Sequence, residues 1–244
     1  MNKNWVDLKE LDMERLSSQF QTSEPFNHIV LDNFFNPGLL DLILDELNQE
    51  NYETWDKRDH HGVQVKWRSN WKVDEDVPQN TFDFVQFLNS GNFLRFLTGL
   101  TGITGIIPDP YLTGGGFNQT NRGGMLGVHA DGNWHDVMGV HRRLNVIVYL
   151  NKEWEDSWGG QLELWGRNHE NLPDKCIKKI KPIFNRMCVF RTDDFSFHGH
   201  STPLQCPQDR SRQSLILYYY TNTRPSEEVL SLENKHRALF YEIR

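Results

Sequence analysis

The segment GVHADGNWH, residues 127–135, holds a histidine and an aspartate two positions apart, His129 and Asp131. In a β-strand, residues i and i+2 point to the same face, so this pair could hold one metal ion from one strand. Two ligands make a poor site, and a third must come from further along the chain. The segment DDFSFHGHSTPL, residues 193–204, offers His198 and His200 directly after the strand-like RMCVFRT. A sheet that folds back would bring it beside the first pair. Two histidines and one carboxylate suit non-haem Fe(II) and leave coordination positions open for substrates. Catalytic zinc also takes three protein ligands, so ligand types alone leave the metal open. An isolated H-x-D is a weak motif. This is the only one in the chain, and it lies about 70 residues before an S-x-H in a β context.

Fe(II) with open positions commonly works with a bidentate organic acid, 2-oxoglutarate. The far carboxylate of that dianion needs a buried cation, and arginine binds carboxylate bidentately while staying charged. DRSRQSLILYYY supplies Arg210 and Arg212 at the start of a strong strand, with Arg212, Ser214 and Ile216 on one face. A solvated rim position is the ordinary alternative for such an arginine.

The elements that would position these groups change character along the chain. Residues 5–20 mix apolar and charged positions at helical spacing, and HIVLDNFF (28–35) reads as a strand. NPGLLDLILDELNQEN opens with Asn36 as N-cap and Pro37 at the first helical position. FDFVQFLNS and NFLRFLTGLTG read as further helices. From about residue 106 the runs are short and β-rich: LGVHA, RLNVIVYLN, GQLELWG, CIKKIKPIF, RMCVFRT and SRQSLILYYYT. Many short strands separated by turn residues predict a sandwich or barrel. Residues 223–244 read as a closing helix capped by Ser226. The expected fold class is α+β, in one domain over residues 1–244: a helical N-terminal part (1–105), a β core (106–222) and a C-terminal helix (223–244).

Composition narrows the function classes. The chain has 244 residues, a formal net charge of −7 and no long basic stripe, which argues against nucleic acid as a partner. Three cysteines without a C-x-x-C point to reduced thiols rather than a disulfide framework. No apolar run approaches the roughly 20 residues of a membrane span, and the N-terminus lacks a signal-like apolar segment. These features predict a cytoplasmic protein with no membrane partner.

Taken together, GVHADGN, HRRLNVIVYLNKEW, WGGQLELW, IKPIFNRMCVFRT, SFHGH and RSRQSLILYYYTN are similar in order and spacing to the 2-oxoglutarate/Fe(II)-dependent dioxygenases, specifically the prolyl 4-hydroxylase-like branch. The resemblance covers roughly residues 108–222, and PFNHIVLDNFFNP resembles the opening strand and helix of that branch. It implies a double-stranded β-helix, or jelly roll. It places the iron ligands at His129, Asp131 and His198, with His200 as the alternative distal ligand; the S-x-H context Ser196-Phe197-His198 favours His198. Arg212 matches the residue that grips the far carboxylate of 2-oxoglutarate. Tyr149 matches a tyrosine bonding the same carboxylate, and Asn145, on the same strand face, would line that pocket. Gln119 stands where many prolyl hydroxylases carry a tyrosine, and would bond cosubstrate or substrate. Arg142 matches a position near a peptide substrate, and Trp134, His135 and His141 would share the substrate rim.

The implied activity is hydroxylation, most simply of a peptidyl proline, with Fe(II), 2-oxoglutarate and O2, releasing succinate and CO2. Ascorbate often keeps the iron of such enzymes reduced. The same chemistry on a small molecule, sugar or other side chain is an alternative. A non-catalytic jelly-roll binding module is another.

Overall fold

Apolar residues recur at helical spacing through the first hundred positions, and among the described residues four α-helices form there. The computed structural model describes residues 3–60, 63–71, 74–231 and 235–242. Helix α1 spans Met13–Gln21, and strand β1 follows at His28–Asp32. Helix α2 (Pro37–Gln49) starts where expected, with the Asn36 side chain accepting from the backbone N–H groups of Gly38 and Leu39. It buries Leu40, Ile43, Leu44 and Leu47, the i, i+3, i+4, i+7 stripe of an amphipathic helix. A hairpin, β2 (Asp56–His60) and β3 (Gln64–Arg68), lies inside the stretch expected to be helical. Helices α3 (Gln79–Leu88) and α4 (Gly91–Thr101) complete the N-terminal layer. The α3 N-terminus is held by Glu46 of α2, whose carboxylate accepts from the N–H groups of Asn80 (2.7 Å) and Thr81 (2.9 Å), an acidic group at the positive end of a helix.

The β-rich half contains β4 (Ile107–Pro108), β5 (Gly116–Asn121), β6 (Leu126–Ala130), β7 (Trp134–His135), β8 (Val140–Tyr149), β9 (Leu162–Arg167), β10 (Pro173–Ile180), β11 (Arg186–Arg191), β12 (His198–His200), β13 (Ser211–Thr221) and β14 (Leu239–Phe240). The main path of antiparallel pairing runs β1-β11-β8-β13-β5-β3-β6-β12-β9-β10. Its two halves fold face to face. Ile147 and Tyr149 of β8, Cys188 and Phe190 of β11, Leu162 and Leu164 of β9 and Ile180 of β10 meet in one apolar cluster. This is the jelly-roll arrangement expected from the sequence.

The central strands are buried on both faces. In β8, Leu144, Val146 and Val148 pack into the helical layer, while Asn145, Ile147 and Tyr149 face the second sheet. In β13, Leu215, Leu217 and Tyr219 pack toward the helices, leaving Arg212, Ser214, Ile216 and Tyr218 on the inner face. That double burial explains why these segments read as continuous apolar runs rather than as alternating ones.

The closing helix is not formed in the described part of the tail. Ser226–Glu228 makes one 3-10 turn with no side-chain cap, and Leu239–Phe240 adds as a strand to β6. Glu228 is instead drawn inward by Arg143 (2.9 Å) and Arg224 (3.3 Å). Tertiary ion pairs and strand addition outweigh the local helical pattern. Among the described residues, no helix is long and apolar enough to cross a membrane. The three cysteines are free.

Because Leu217 is 2% exposed between sheet and helices, Leu217→Ala should destabilise the fold by about 2–5 kcal/mol in urea unfolding. Ile177→Ala, at a position 44% exposed, should stay within about 0.5 kcal/mol of the parent.

Candidate active site

His129 in β6 lies directly opposite His198 in β12, and opposed residues of an antiparallel pair share a face. Asp131, two residues on, turns to the same side. One ligand atom from each of His129, Asp131 and His198 lies within 4.8 Å of the others. The imidazole Nε2 atoms stand 3.5 Å (His129) and 3.8 Å (His198) from the Asp131 carboxylate. Both Nδ1 atoms are engaged by backbone carbonyls, of Gly127 for His129 and Ser196 for His198, each at 2.9 Å. That bonding makes Nδ1 the protonated nitrogen and leaves each Nε2 lone pair free on the shared side, the arrangement of metal-binding histidines. Two nitrogens and a carboxylate on one side of a buried pocket fit Fe(II). Phe240 stacks on His129 and Phe190 meets His198 edge-on, so the rings cannot turn freely. β12 can approach β6 this closely because residue 199 is glycine: a Cβ there would lie 2.8 Å from the carbonyl oxygens of Leu126 and Gly127.

Asp131 is 6% exposed. Burial would raise its carboxyl pKa, but the charge of His198 and a hydrogen bond from His129, when those rings are protonated, together with the standing charge of Arg142, hold it well below the usual range. Asn145 donates to it at 3.1 Å, and an Arg142 nitrogen lies 3.7 Å away. His198 is lowered to about 4, by burial first and then by His129. The carboxylate is therefore ionised and the His198 ring neutral at neutral pH, the protonation states a metal requires.

These groups line a cavity of about 830 Å³, within the range of small-molecule sites. On its inner wall Arg212, 6% exposed, donates through Nε to the carbonyl of Gly160 (2.8 Å) and through a terminal nitrogen to the Tyr149 hydroxyl (3.2 Å). Gly160 has φ +73, and a Cβ there would meet Leu204 and Arg212, so the Trp158-Gly159-Gly160 turn serves to bring a carbonyl onto this arginine. Burial lowers the guanidinium pKa and raises that of the Tyr149 hydroxyl. Ser214 lies on the same strand face, its buried hydroxyl without a hydrogen-bond partner, as are Asn118 Oδ1, Asn145 Oδ1, Arg142 Nε and His200 Nδ1, which border the cavity. Such a concentration of unmet polar atoms beside a buried cation fits a dicarboxylate ligand.

Several expected residues sit elsewhere than anticipated. Asn145 bonds Asp131 rather than the Arg212 end, because four residues of strand separate it from Tyr149, about 13 Å. Gln119 does not line the cavity. On β5, Asn118 and Thr120 face inward, so Gln119 shares the opposite face with Phe117, and its amide bonds Asn121 at 3.2 Å. His200 borders the cavity, but a bulge separates it from the His129–His198 register, and it is not part of the three-residue group. Arg142 and Trp134 do line the cavity. Arg142 stacks on Tyr218 with its guanidinium 3.7 Å from the ring centre, and Lys235 lies 3.6 Å over Trp134. His135 turns away to Asp109 at 3.2 Å.

Sequence reasoning missed Lys66, Arg68 and Tyr218, all cavity-lining. For Lys66 and Arg68 the signal in KRDHHGVQVKWR is the glycine between two runs of strand length, as in a hairpin.

Residues 115–220 match the family model of the 2OG-Fe(II) oxygenase superfamily. Among curated proteins, the chain is 31% identical over 93 residues to prolyl 3-hydroxylase OGFOD1 of Mus musculus, covering 37% of this chain and 17% of that protein. It is 36% identical over 70 residues to its Xenopus laevis counterpart, covering 29% of this chain and 14% of that one. The chain thus matches well under a fifth of the length of these relatives. A Trichoplax adhaerens prolyl hydroxylase, solved with a peptide fragment of the hypoxia inducible factor oxygen degradation domain, superposes with a TM-score of 0.60 at 19% identity, covering 88% of this chain and 96% of that one. A Pseudomonas putida prolyl-4-hydroxylase gives 0.57 at 15%, covering 86% and 100%. HygX of Streptomyces hygroscopicus, with nickel and 2-oxoglutarate bound, gives 0.56 at 13%, covering 95% and 97%.

The tail closes over the site through His236. Its ring meets Asp194 at 3.0 Å, and its backbone exchanges hydrogen bonds with Asn133, beside the ligand segment. Burial alone would lower the His236 pKa, but Asp194 and the Arg237 carbonyl outweigh it and the value is raised from 6.5. A raised folded-state value contributes stability that is complete below the free value and is lost as pH rises through the folded one. Trp134 fluorescence, sensitive to Lys235 above it, should therefore change as pH rises above the free-histidine value of 6.5. His236→Gln should abolish that change.

Proposed function

We propose that the chain is an Fe(II)- and 2-oxoglutarate-dependent hydroxylase acting on peptidyl proline, of the prolyl 4-hydroxylase-like kind. The observation that carries the reading is the coincidence, in one cavity, of the His129–Asp131–His198 group with the buried Arg212, whose guanidinium donates to the Tyr149 hydroxyl. The prolyl hydroxylases among its relatives support the peptidyl substrate.

His129, Asp131 and His198 would hold Fe(II), and Arg212 and Tyr149 the far carboxylate of 2-oxoglutarate. Iron with 2-oxoglutarate and O2 supplies oxidative decarboxylation to succinate and CO2, coupled to hydroxylation of an unactivated C–H. The chain supplies orientation and protection. Asn145 and Arg142 fix the Asp131 carboxylate so that it presents oxygen to the metal side. Phe190 and Phe240 pack against the two imidazoles and keep solvent from them. Arg212 is itself fixed by the Gly160 carbonyl, so a carboxylate binds a preformed donor pair without reorganisation. Arg142 and Trp134 lie where a substrate would approach. Residues 1–244 act as one unit in this reading, because Lys66 and Arg68 of the N-terminal part line the same cavity. Cytoplasmic residence and a requirement for ascorbate to keep the iron reduced belong to the same proposal.

With Fe(II), ascorbate and proline-containing peptides, the protein should release succinate from 2-oxoglutarate in step with peptide mass gain by one oxygen. His129→Ala and Asp131→Ala should each lower succinate release by at least about a hundredfold. Asn145→Ala should weaken metal binding about 10–100-fold, the usual cost of losing a group that orients a ligand. Full turnover in Asp131→Ala would place the metal elsewhere. Oxidation of small molecules but of no peptide would move the substrate to another class.

A further inference from the structure

The wall of the cavity formed by the β2–β3 hairpin is cationic in a way that the cosubstrate does not account for. The pairs Asp56↔Arg68, Arg58↔Lys66 and His60↔Gln64 are opposed across the hairpin, so these six residues share one face. All of them except Asp56 line the cavity. The other face carries Trp67, which packs on Tyr52. On the cavity face three cations, Arg58, Lys66 and Arg68, meet the single carboxylate of Asp56, which both arginines share at 3.3 Å. No carboxylate among the described residues forms an ion pair with Lys66. Lys235 and Arg237 add positive charge from the tail.

Among the described residues, carboxylates do not balance this wall. Asp131 is already taken by the two histidines, Arg142 and Asn145, and the other acidic residue lining the cavity is Asp136. The chain as a whole carries −7, so the positive field is local to this cavity. Gathering like charges in a partly desolvated space is costly. Burial, followed by Arg68, lowers the Lys66 ammonium to about 8. A bound anion would relieve that cost. 2-Oxoglutarate has its own cation in Arg212, which is engaged by Gly160 and Tyr149 and leaves the hairpin cations for another ligand.

We propose that the substrate is an acidic peptide, whose carboxylate side chains beside the hydroxylated residue bind the Arg58, Lys66 and Arg68 face of the hairpin. The proposal rests on the peptidyl reading above and adds the charge of the sequence around the target. Paired arginines suit carboxylates because the planar fork donates to both oxygens at once.

The test uses the whole chain loaded with Fe(II) and 2-oxoglutarate, and proline peptides of equal length bearing Glu, Gln or Lys on both sides of the proline. Hydroxylated peptide is read by mass. The Glu peptide should exceed the Gln peptide in kcat/KM by about tenfold or more, and the Lys peptide should fall below both. Added salt should erode the Glu advantage. Arg58→Gln should shrink it, and Lys66→Gln with Arg68→Gln should bring the Glu and Gln peptides level. Equal rates for the three peptides with the parent protein would overturn the proposal, as would a Glu advantage that survives the double substitution. If none of the peptides gains oxygen while 2-oxoglutarate is still consumed, the peptidyl reading itself fails, and the acidic-peptide proposal falls with it.

Discussion

A carboxylate taken almost wholly out of water must be compensated, and the site is organised around that requirement at Asp131. Burying an ionised carboxylate without partners costs several kcal/mol. Here two imidazoles, a guanidinium and an amide converge on the two oxygens. None of these partners is close in sequence except His129. His198 arrives on β12, while Asn145 and Arg142 arrive on β8. The jelly roll can be viewed as the device that brings three separate strands to one carboxylate. Arg142 and Asn145 keep it ionised, and the backbone bonds at each Nδ1 point the histidine lone pairs at the same place.

The scaffold that achieves this depends on strands with two buried faces. β8 and β13 give one set of residues to the helical layer and the alternate set to the cavity. The helical face holds the strands in register through aliphatic packing, and Tyr219 adds a hydrogen bond to the Leu88 carbonyl at 3.0 Å. The inner face can then be polar, because its position does not depend on its own packing. Along β8 the inner residues run from Asn145 at the Asp131 end to Tyr149 at the Arg212 end. The strand acts as a ruler between the metal group and the carboxylate-binding group. A one-residue slip would exchange the faces and destroy both ends at once.

Much of this was legible in the sequence, for physical reasons. His129 with Asp131, and Arg212 with Ser214, are pairs two residues apart within strands, and strand alternation is a strong rule. Asn36-Pro37 marked a helix start because capping is local. What was not legible depended on tertiary pairing. Gln119 faces outward because β5 is registered against β13 with Asn118 and Thr120 inward, and nothing local to β5 decides between its two faces. Asn145 was given the right face but the wrong neighbour, since the sequence does not say which end of the cavity holds the metal group. The tail carried a plausible helical pattern, yet Glu228 is claimed by Arg143 and Arg224, and Leu239–Phe240 by β6. The hairpin at residues 56–68 was overlooked because its charged residues fall on both faces, Lys57 and Asp59 on one and Arg58, Lys66 and Arg68 on the other, which masks the alternation.

The central claim is that the three-residue group and Arg212 form one linked binding site. Anaerobic thermal unfolding with Mn(II) in place of Fe(II), with and without 2-oxoglutarate, tests it most directly in the parent protein and in Arg212→Ala. A ligand that binds only the folded state adds about 2.7 kcal/mol at a hundredfold excess over its Kd. 2-Oxoglutarate should raise the melting temperature only when metal is present, and Arg212→Ala should lose that increment while keeping the metal's own effect. Stabilisation by neither metal nor 2-oxoglutarate, or an increment undiminished in Arg212→Ala, would contradict that claim.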